Sequence, residues 1–267
     1  MTTLLRGLAG LLVTTQVAAV RLQAQFYWFD DKGERAAIRA EFNRPFIKDA
    51  DLKALTGGLA LSVSGKFGPS TRIEAELPMA AGGLEGTSST FTVGNPYLGI
   101  RLHQPGKRFS TQFGVRFPTM ADLSLKSVVA VTAAAVSDAD REEAFFSKTV
   151  TARAGVELHP APAGTLLTGI RVGTSVFIPT DGGSVEAFLD YGGRIGIDNS
   201  SVMAALALTG RWFVTSDDGS LADRTTHQIT GSVDFRRGPV RPGVVVRIPL
   251  DETDLDWVLG IRMTVVP

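Results

Sequence analysis

The 267-residue chain contains no cysteine and three histidines. Without cysteine it has no disulfide framework, no zinc–thiolate site and no thiol nucleophile. Basic and acidic side chains number 27 each, so the formal net charge is zero and nucleic acid is not an expected partner. Past the N-terminus the sequence has no uninterrupted apolar run of roughly 18 residues, which argues against helical membrane spans.

The residues that are abundant point to an all-β protein. Apolar side chains make up 44% of the chain, which is too many for a disordered protein. Glycine occurs 29 times and proline 13 times. Both residues are frequent in turns, so the composition suits a chain with many strand connections.

The N-terminus has the layout of a secretory signal peptide. Arg6 supplies one positive charge, an apolar stretch follows from Gly7 to Ala19, and the small residues Ala19 and Ala24 offer two cleavage points, of which we favour the one after Ala24. We predict a signal peptide over residues 1–24, a periplasmic segment over 25–35 and a barrel over 36–267. A short buried helix or an uncleaved anchor is the alternative for the first segment.

From residue 36 onward the dominant periodicity is two residues, the spacing of side chains on one face of a β-strand. In the first run, every second residue from Ala36 to Phe42 is apolar, and Arg39 and Glu41 lie between them. About twelve such runs follow one another, each roughly 9–13 residues long, enough to cross a membrane when tilted. Because a soluble sandwich also alternates, this pattern alone does not decide between a sandwich and a barrel.

Three further features favour a membrane barrel. Short and long connections alternate along the chain, as periplasmic turns and outer loops do in outer-membrane barrels. Outward aromatic residues fall near the strand ends, where they would form two interfacial rings. Several ascending strands end at a proline, including Pro45 and Pro78, and proline is expected where strand pairing stops. The sequence therefore predicts an all-β fold: a single closed antiparallel up-and-down transmembrane β-barrel of about twelve strands.

One segment departs from the strand pattern. Residues 122–146 are rich in alanine, and Ser137 and Asp138 precede Glu142 in the manner of a helix N-terminus. We predict a short helical segment in the largest outer loop, folded over the mouth of the barrel or lying at the membrane surface.

Short fragments of the chain resemble a known group of proteins. These fragments are Gly94-Asn95-Pro96-Tyr97-Leu98-Gly99, Ala75-Glu76-Leu77-Pro78 and Phe188-Leu189-Asp190-Tyr191-Gly192. They are similar to transporter-like outer-membrane barrels of the MetA-pathway phenol-degradation family, over about residues 33–267. The resemblance implies an outer-membrane channel for small organic molecules and brings no catalytic residue with it.

Charged residues on the polar face of the strands are the candidate functional residues. A charge facing lipid at mid-depth costs roughly 2–4 kcal/mol, so we expect these side chains to line the lumen. They either pair into a network that fills a closed barrel or line a watered passage. The candidates are Arg39, Glu41, Glu74, Glu76, Arg101, Arg116, Arg153, Glu157, Arg171, Asp190 and Arg194.

An enzymatic alternative requires a serine and a histidine near the outer leaflet. His227 is predicted at the outer rim on the outward face, and Ser216 and Ser220 lie in a nearby loop. We interpret His227 as an interface residue and expect no catalytic residue, metal site or cofactor.

The function that these features favour is an outer-membrane channel or transporter for small, organic or hydrophobic molecules in a Gram-negative bacterium. The alternatives are a structural barrel with a packed lumen and, less favoured, a lipid-modifying enzyme. The expected partners are the outer-membrane lipid bilayer, the barrel-assembly machinery and a small-molecule permeant.

Overall fold

The computed structural model describes residues 36–103, 108–120, 123–138, 141–159, 165–215, 224–251 and 253–267. The predicted signal peptide, residues 1–24, and the predicted periplasmic segment, residues 25–35, lie outside the described residues.

The described residues form strands for most of their length. The strands are β1 (Ala36–Ile47), β2 (Gly57–Lys66), β3 (Thr71–Gly82), β4 (Thr90–Val93), β5 (Tyr97–His103), β6 (Phe109–Arg116), β7 (Thr149–Leu158), β8 (Leu166–Pro179), β9 (Glu186–Asp198), β10 (Val202–Phe213), β11 (Thr225–Phe235), β12 (Val240–Pro249) and β13 (Leu255–Val265). Between β6 and β7 lie the helix α1 (Leu125–Ser137) and a short 3-10 helix (Glu142–Phe145).

The strands close into an antiparallel barrel. Each strand from β5 to β13 pairs with the next, β13 pairs with β1, β1 with β2, β2 with β3, and β3 with β5. These pairings make a ring of twelve strands, and β4 pairs with the outer end of β3. The predicted closed up-and-down barrel of about twelve strands is confirmed.

The two faces of the barrel differ in chemistry. In β1, Glu41 and Asn43 are almost fully buried, whereas Ile38, nearer the start of the strand, is 52% exposed. Large apolar side chains are exposed on outward positions of nearly every strand, such as Leu61, Ile100 and Ile261. In water, an apolar surface of this extent would drive aggregation, so it fits a lipid environment. Among the described residues, no helix is long and apolar enough to cross a membrane.

The prediction that strands stop at Pro45 and Pro78 is wrong. Pro45 pairs with Val258 inside the β1–β13 ladder, and Pro78 pairs with Ala60 inside the β2–β3 ladder. The ladder tolerates proline because its carbonyl still accepts: Pro78 O accepts a hydrogen bond from Gly94 N–H at 2.9 Å.

The predicted helical segment in the largest outer loop is confirmed, but its main helix begins earlier than the Ser137–Asp138 signal indicated. The helix α1 begins after Ser124, whose side chain and that of Ser127 form a reciprocal capping box, and Ser137 and Asp138 end it. It folds into the outer mouth of the barrel. It packs inside the barrel against β1, β2, β3 and β4, because the small side chains on its face fit the small residues of the inner wall.

Candidate functional site

The outer half of the lumen holds residues 123–138 and 141–146, which we call the lumen plug. Its helix packs against the inward face of β2: a Cβ atom built on Gly58 would lie 3.4 Å from Ala134 Cβ and 3.2 Å from Ser137 Oγ. The absence of a side chain at Gly58 therefore makes room for the helix.

Apolar contacts seat the plug against two parts of the wall. On one side, Ala130, Val131 and Ala134 of α1 cluster with Ala80 of β3 and Phe145. On the other side, Phe146 meets Phe177 of β8 edge to face at 5.7 Å. A row of rings continues from Phe177 to Phe188 and Phe213 on the inner wall.

Ion pairs connect the plug to opposite walls. Arg116 of β6 binds Glu143 at 2.9 Å, and Arg247 of β12, six positions away in the ring of twelve, contacts Asp138 at 3.4 Å. Likewise Glu76 of β3 binds Arg141 at 2.8 Å. Arg211 of β10, on the wall opposite β3, binds Glu142. The plug therefore crosses the lumen instead of lying along one side.

The buried carboxylates share their arginines. Glu143 accepts from Arg153 at 2.6 Å as well as from Arg116. Glu41 accepts from Arg247 at 2.7 Å and lies 3.3 Å from Arg141. Charge-assisted hydrogen bonds of this kind are about twice as strong as neutral ones, and together they fix one position of the plug.

The two adjacent acids of the plug differ in their ionisation. Burial acts to raise the pKa of Glu143, but the charges of Arg153 and Arg116 outweigh it and hold the pKa below its usual value. Burial raises the pKa of Glu142 well above its usual value, and Arg211 offsets only part of the effect. Glu143 is therefore the more acidic of the two adjacent anchors of the plug.

A break between β4 and β5 holds the 3-10 helix in place. Asn95 N–H donates to Ala144 O at 2.6 Å, and its side-chain amide donates to Phe146 O at 2.6 Å. Its side-chain oxygen accepts from Met120 N–H at 2.9 Å. Gly94 allows this approach, because a Cβ there would lie 2.4 Å from Ala144 O. The sequence Gly94-Asn95-Pro96 thus works as a latch for the plug.

Replacing Asn95 by alanine should loosen the plug without opening the barrel. The change leaves Phe146 O and Met120 N–H without their side-chain partner, at a cost of about 1–3 kcal/mol for such buried groups. We expect faster hydrogen exchange in residues 141–146 and unchanged exchange in β8–β13, measured by mass spectrometry. Thr253→Ala, which removes a loop hydrogen bond to Leu255 O far from the latch, is the matched control; equal exchange in both variants would contradict the assignment.

Beneath the plug, towards the short connections, the wall carries a second group of charges. Arg101 lies 3.3 Å from Glu74, Arg194 binds Glu157 at 3.0 Å, and Arg262 binds Asp234. Arg39 donates to Thr264 Oγ1 at 3.1 Å, and Arg72 donates to Ser64 Oγ at 2.9 Å.

This lower region contains a small pocket against β5–β8, with room for about one water molecule. The polar side chains that line it are Arg101, Ser110, Gln112, Glu157 and Arg171.

The structure divides the eleven candidate residues between the two levels. At the level of the plug lie Glu41, Glu76, Arg116, Arg153 and Asp190. Beneath it lie Arg39, Glu74, Arg101, Glu157, Arg171 and Arg194.

The sequence prediction omitted several residues of the network. Arg211 and Arg247 occupy the same alternate positions as the candidates, so the period of two already marks them. Arg141 and Glu143 lie in a loop without periodicity. Asn95 stands between a glycine and a proline, a pattern that is typical of an ordinary turn.

Two of the three histidines, His159 and His227, have polar partners in the described structure. Tyr191 Oη lies 2.8 Å from His227 Nε2, and Asp251 Oδ1 lies 3.2 Å from its Nδ1. Ser216 and Ser220 lie outside the described residues. Inside the lumen, Ser110 Oγ and His159 Nε2 are 3.4 Å apart.

No family model matches the chain, and no curated protein matches it. Among solved structures, the chain is similar to the COG4313 outer membrane channel from Pseudomonas putida F1, with 9% identity and a TM-score of 0.57 over 88% of this chain and 96% of that one. It is also similar to LpxR from Salmonella typhimurium, with 11% identity and a TM-score of 0.54 over 86% of this chain and 100% of that one.

These similarities concern the fold. They confirm, at that level, the resemblance to transporter-like outer-membrane barrels that the sequence indicated. A closed up-and-down barrel with an apolar exterior and a charged interior is the architecture of Gram-negative outer-membrane proteins. The chain is therefore a transmembrane β-barrel of the outer-membrane class.

Proposed function

We propose that the protein is an outer-membrane channel for small molecules whose lumen is closed, in the conformation described, by the plug. The observation that carries the proposal is that a loop, and not the barrel wall, supplies the residues in the outer half of the lumen. A loop-borne segment fills the outer half, and it is held by hydrogen bonds and ion pairs that can be exchanged for water. Beneath it lies a small pocket to which Arg101, Gln112 and Arg171 contribute.

The wall is suited to both states. When the plug is docked, Arg116, Arg153, Arg211 and Arg247 pair with its acids. When the plug leaves, the same four arginines face a watered lumen in which they are solvated. Barrels of about twelve strands lie between filled eight-stranded barrels and open sixteen-stranded porins, so a passage of limited width is the geometric expectation.

The second candidate is a structural barrel with a packed lumen. The nearly complete pairing of buried charges favours it, since paired networks stiffen a protein interior. The two proposals differ in whether the plug is ever displaced, which a measurement of current can decide.

The test is conductance across a planar bilayer with refolded wild-type protein. We expect discrete, salt-dependent current steps separated by long closed periods, because the docked plug is the resting state. Heat-modifiable mobility on a gel provides the control for folding. A protein that is folded by this criterion and passes no current at any voltage would favour the structural barrel.

A further inference from the structure

The outward face of the barrel carries almost no charge. At the alternating positions that face lipid on the described strands, Arg44 of β1 is the one lysine, arginine, aspartate or glutamate. His227 of β11 is the one histidine at those positions, and Tyr191 and Asp251 are its polar partners. A charge on this face is costly at mid-depth and is tolerated near the two interfaces. The depth of Arg44 therefore decides how it can be used.

Arg44 lies at the outer interface of the membrane. It stands three residues before the end of β1, about 10 Å along a strand, and it pairs with Leu259 of β13. Two positions further out, Phe46 pairs with Trp257, and tryptophan is enriched where a membrane meets water. A long cationic side chain at this depth reaches the lipid headgroups while its backbone stays in the hydrocarbon layer.

Two aromatic rings hold the guanidinium group of Arg44. Its central carbon lies 4.7 Å from the centroid of the Phe46 ring. Phe46 in turn stacks on Trp257, with the ring centroids 3.9 Å apart and the ring planes 6° from parallel. We call Arg44, Phe46 and Trp257 the outer patch. Because the stack restricts the side chain of Arg44, a ligand that binds there meets a cation already in position.

The protein leaves the charge of Arg44 unneutralised. Among the described residues, no carboxylate forms an ion pair with Arg44, and its Nε is buried without a hydrogen-bond partner. On the β2 side the nearest residue is Gly57, where a Cβ would lie 3.2 Å from Arg44 Cα. Glycine has no side chain, so this position does not cover the arginine. The patch thus presents hydrogen-bond donors that only a group from outside the protein can satisfy.

We propose that the outer patch binds a phosphate group of an outer-leaflet lipid. The outer leaflet of a Gram-negative outer membrane consists largely of lipopolysaccharide, whose lipid A anchor carries phosphates on its sugars. Arg44 forms a charge-assisted hydrogen bond to a phosphate oxygen, and Phe46 and Trp257 contact the sugar and the first acyl carbons. The site lies outside the barrel, so the inference does not depend on whether the plug ever opens.

Native mass spectrometry of the refolded protein in detergent tests the site. The probes are lipid A with its phosphates, the same lipid A after removal of the phosphates, and inorganic phosphate. We expect wild type to bind the phosphorylated lipid about tenfold more tightly than the dephosphorylated one, since hydrogen bonds to charged groups are the strong ones. Arg44→Gln should abolish the difference, and Arg44→Lys should retain part of it.

Two controls separate the arginine from other charges. Asp49, Asp254 and Asp256 lie nearer the outer loops than Arg44 does, so a chelator is present throughout to remove divalent cations that these acids could hold. Arg237→Gln removes the same charge from the short connection after β11, where Arg237 donates to Ser201 Oγ at 3.5 Å. This variant should bind lipid A like wild type. Heat-modifiable mobility on a gel shows that each variant is folded.

The remaining outcomes overturn the proposal. Equal binding of both forms of lipid A to wild type would exclude a phosphate site, as would an equal loss of affinity in Arg44→Gln and Arg237→Gln. Displacement of the lipid by an equimolar amount of inorganic phosphate would indicate a site for free phosphate instead. Dimers of wild type that bind no lipid A and are lost in Arg44→Gln would show that a second copy of the chain covers the patch.

Discussion

Replacing residues 123–146 by a short glycine–serine linker should raise the mean conductance by roughly tenfold or more, since a barrel of this size is otherwise wide enough for water and small solutes. The replacement removes both the helix α1 and the 3-10 helix from the lumen. It leaves the barrel intact, because β6 and β7 pair directly from Phe109–Leu158 to Arg116–Thr151 without help from the plug.

A reversible disulfide that holds the plug in place tests the same prediction in the opposite direction. A Cβ atom at Gly58 would lie 3.4 Å from Ala134 Cβ, close to the 3.5–4.5 Å that a disulfide spans. The native chain has no cysteine, so Gly58→Cys with Ala134→Cys introduces a single thiol pair. The oxidised protein should stay closed, and reduction should restore the current steps.

The controls for this pair of variants are direct. Gly58→Cys alone should conduct equally in oxidising and reducing buffer, since it has no second thiol to pair with. If the linker variant folds but conducts no better than wild type, the plug is not the barrier and the structural barrel becomes the better reading. Current through the oxidised double-cysteine protein would also count against displacement of the plug.

Replacing Arg116 by methionine should release the plug by a different route. Arg116 is fully buried and binds Glu76 at 2.8 Å, Glu143 at 2.9 Å and Asn95 O at 3.0 Å. Removing one partner of a buried ion pair costs about 3–5 kcal/mol when the remaining charge is left alone, but here Arg153 still pairs with Glu143 and Arg141 with Glu76, which reduces the cost. Since each 1.4 kcal/mol is tenfold, the docked plug should lose about tenfold or more in population. The measurement is the open probability in single-channel records.

A second change should partly reverse the first. Glu143→Gln in the Arg116→Met background removes the carboxylate that the arginine had neutralised, so the open probability should fall back towards wild type. Arg236→Met is the control, since Arg236 binds Asp198 at 2.7 Å at the periplasmic end. If Arg236→Met opens the channel as much as Arg116→Met does, the effect is general destabilisation and the assignment of Arg116 fails.

The barrel could be predicted because a strand that faces lipid on one side and polar groups on the other must alternate. Glu41 and Ile38 lie on opposite faces of β1 for this reason, and the two-residue period assigns each of them to its face. The same rule marks Arg211 and Arg247 as inward. The prediction of strand ends at Pro45 and Pro78 failed because proline, which lacks only the backbone N–H, can stay in a ladder when the neighbouring residues form their hydrogen bonds.

The plug could not be placed from the sequence. The alanine-rich segment indicates a helix, but whether Ala130 and Ala134 pack on lipid or on an inner wall depends on Gly58 and Ala80, some 50 to 80 residues away. The role of Asn95 depends equally on carbonyl groups of Ala144 and Phe146 that only tertiary structure brings near. Long-range contacts between small or neutral residues leave no local pattern.

The positions of the plug's partners along the chain also predict the order in which the barrel and the plug assemble. Its acids and Arg141 bind residues from β1 near the start of the barrel to β12 near its end, and the Arg247–Glu41 contact joins residues 206 positions apart. Contacts of such sequence separation form late, after the intervening chain has been ordered. Strands β1 and β13 must therefore pair before the plug can dock. Each newly inserted molecule then passes through a conducting stage before its lumen closes.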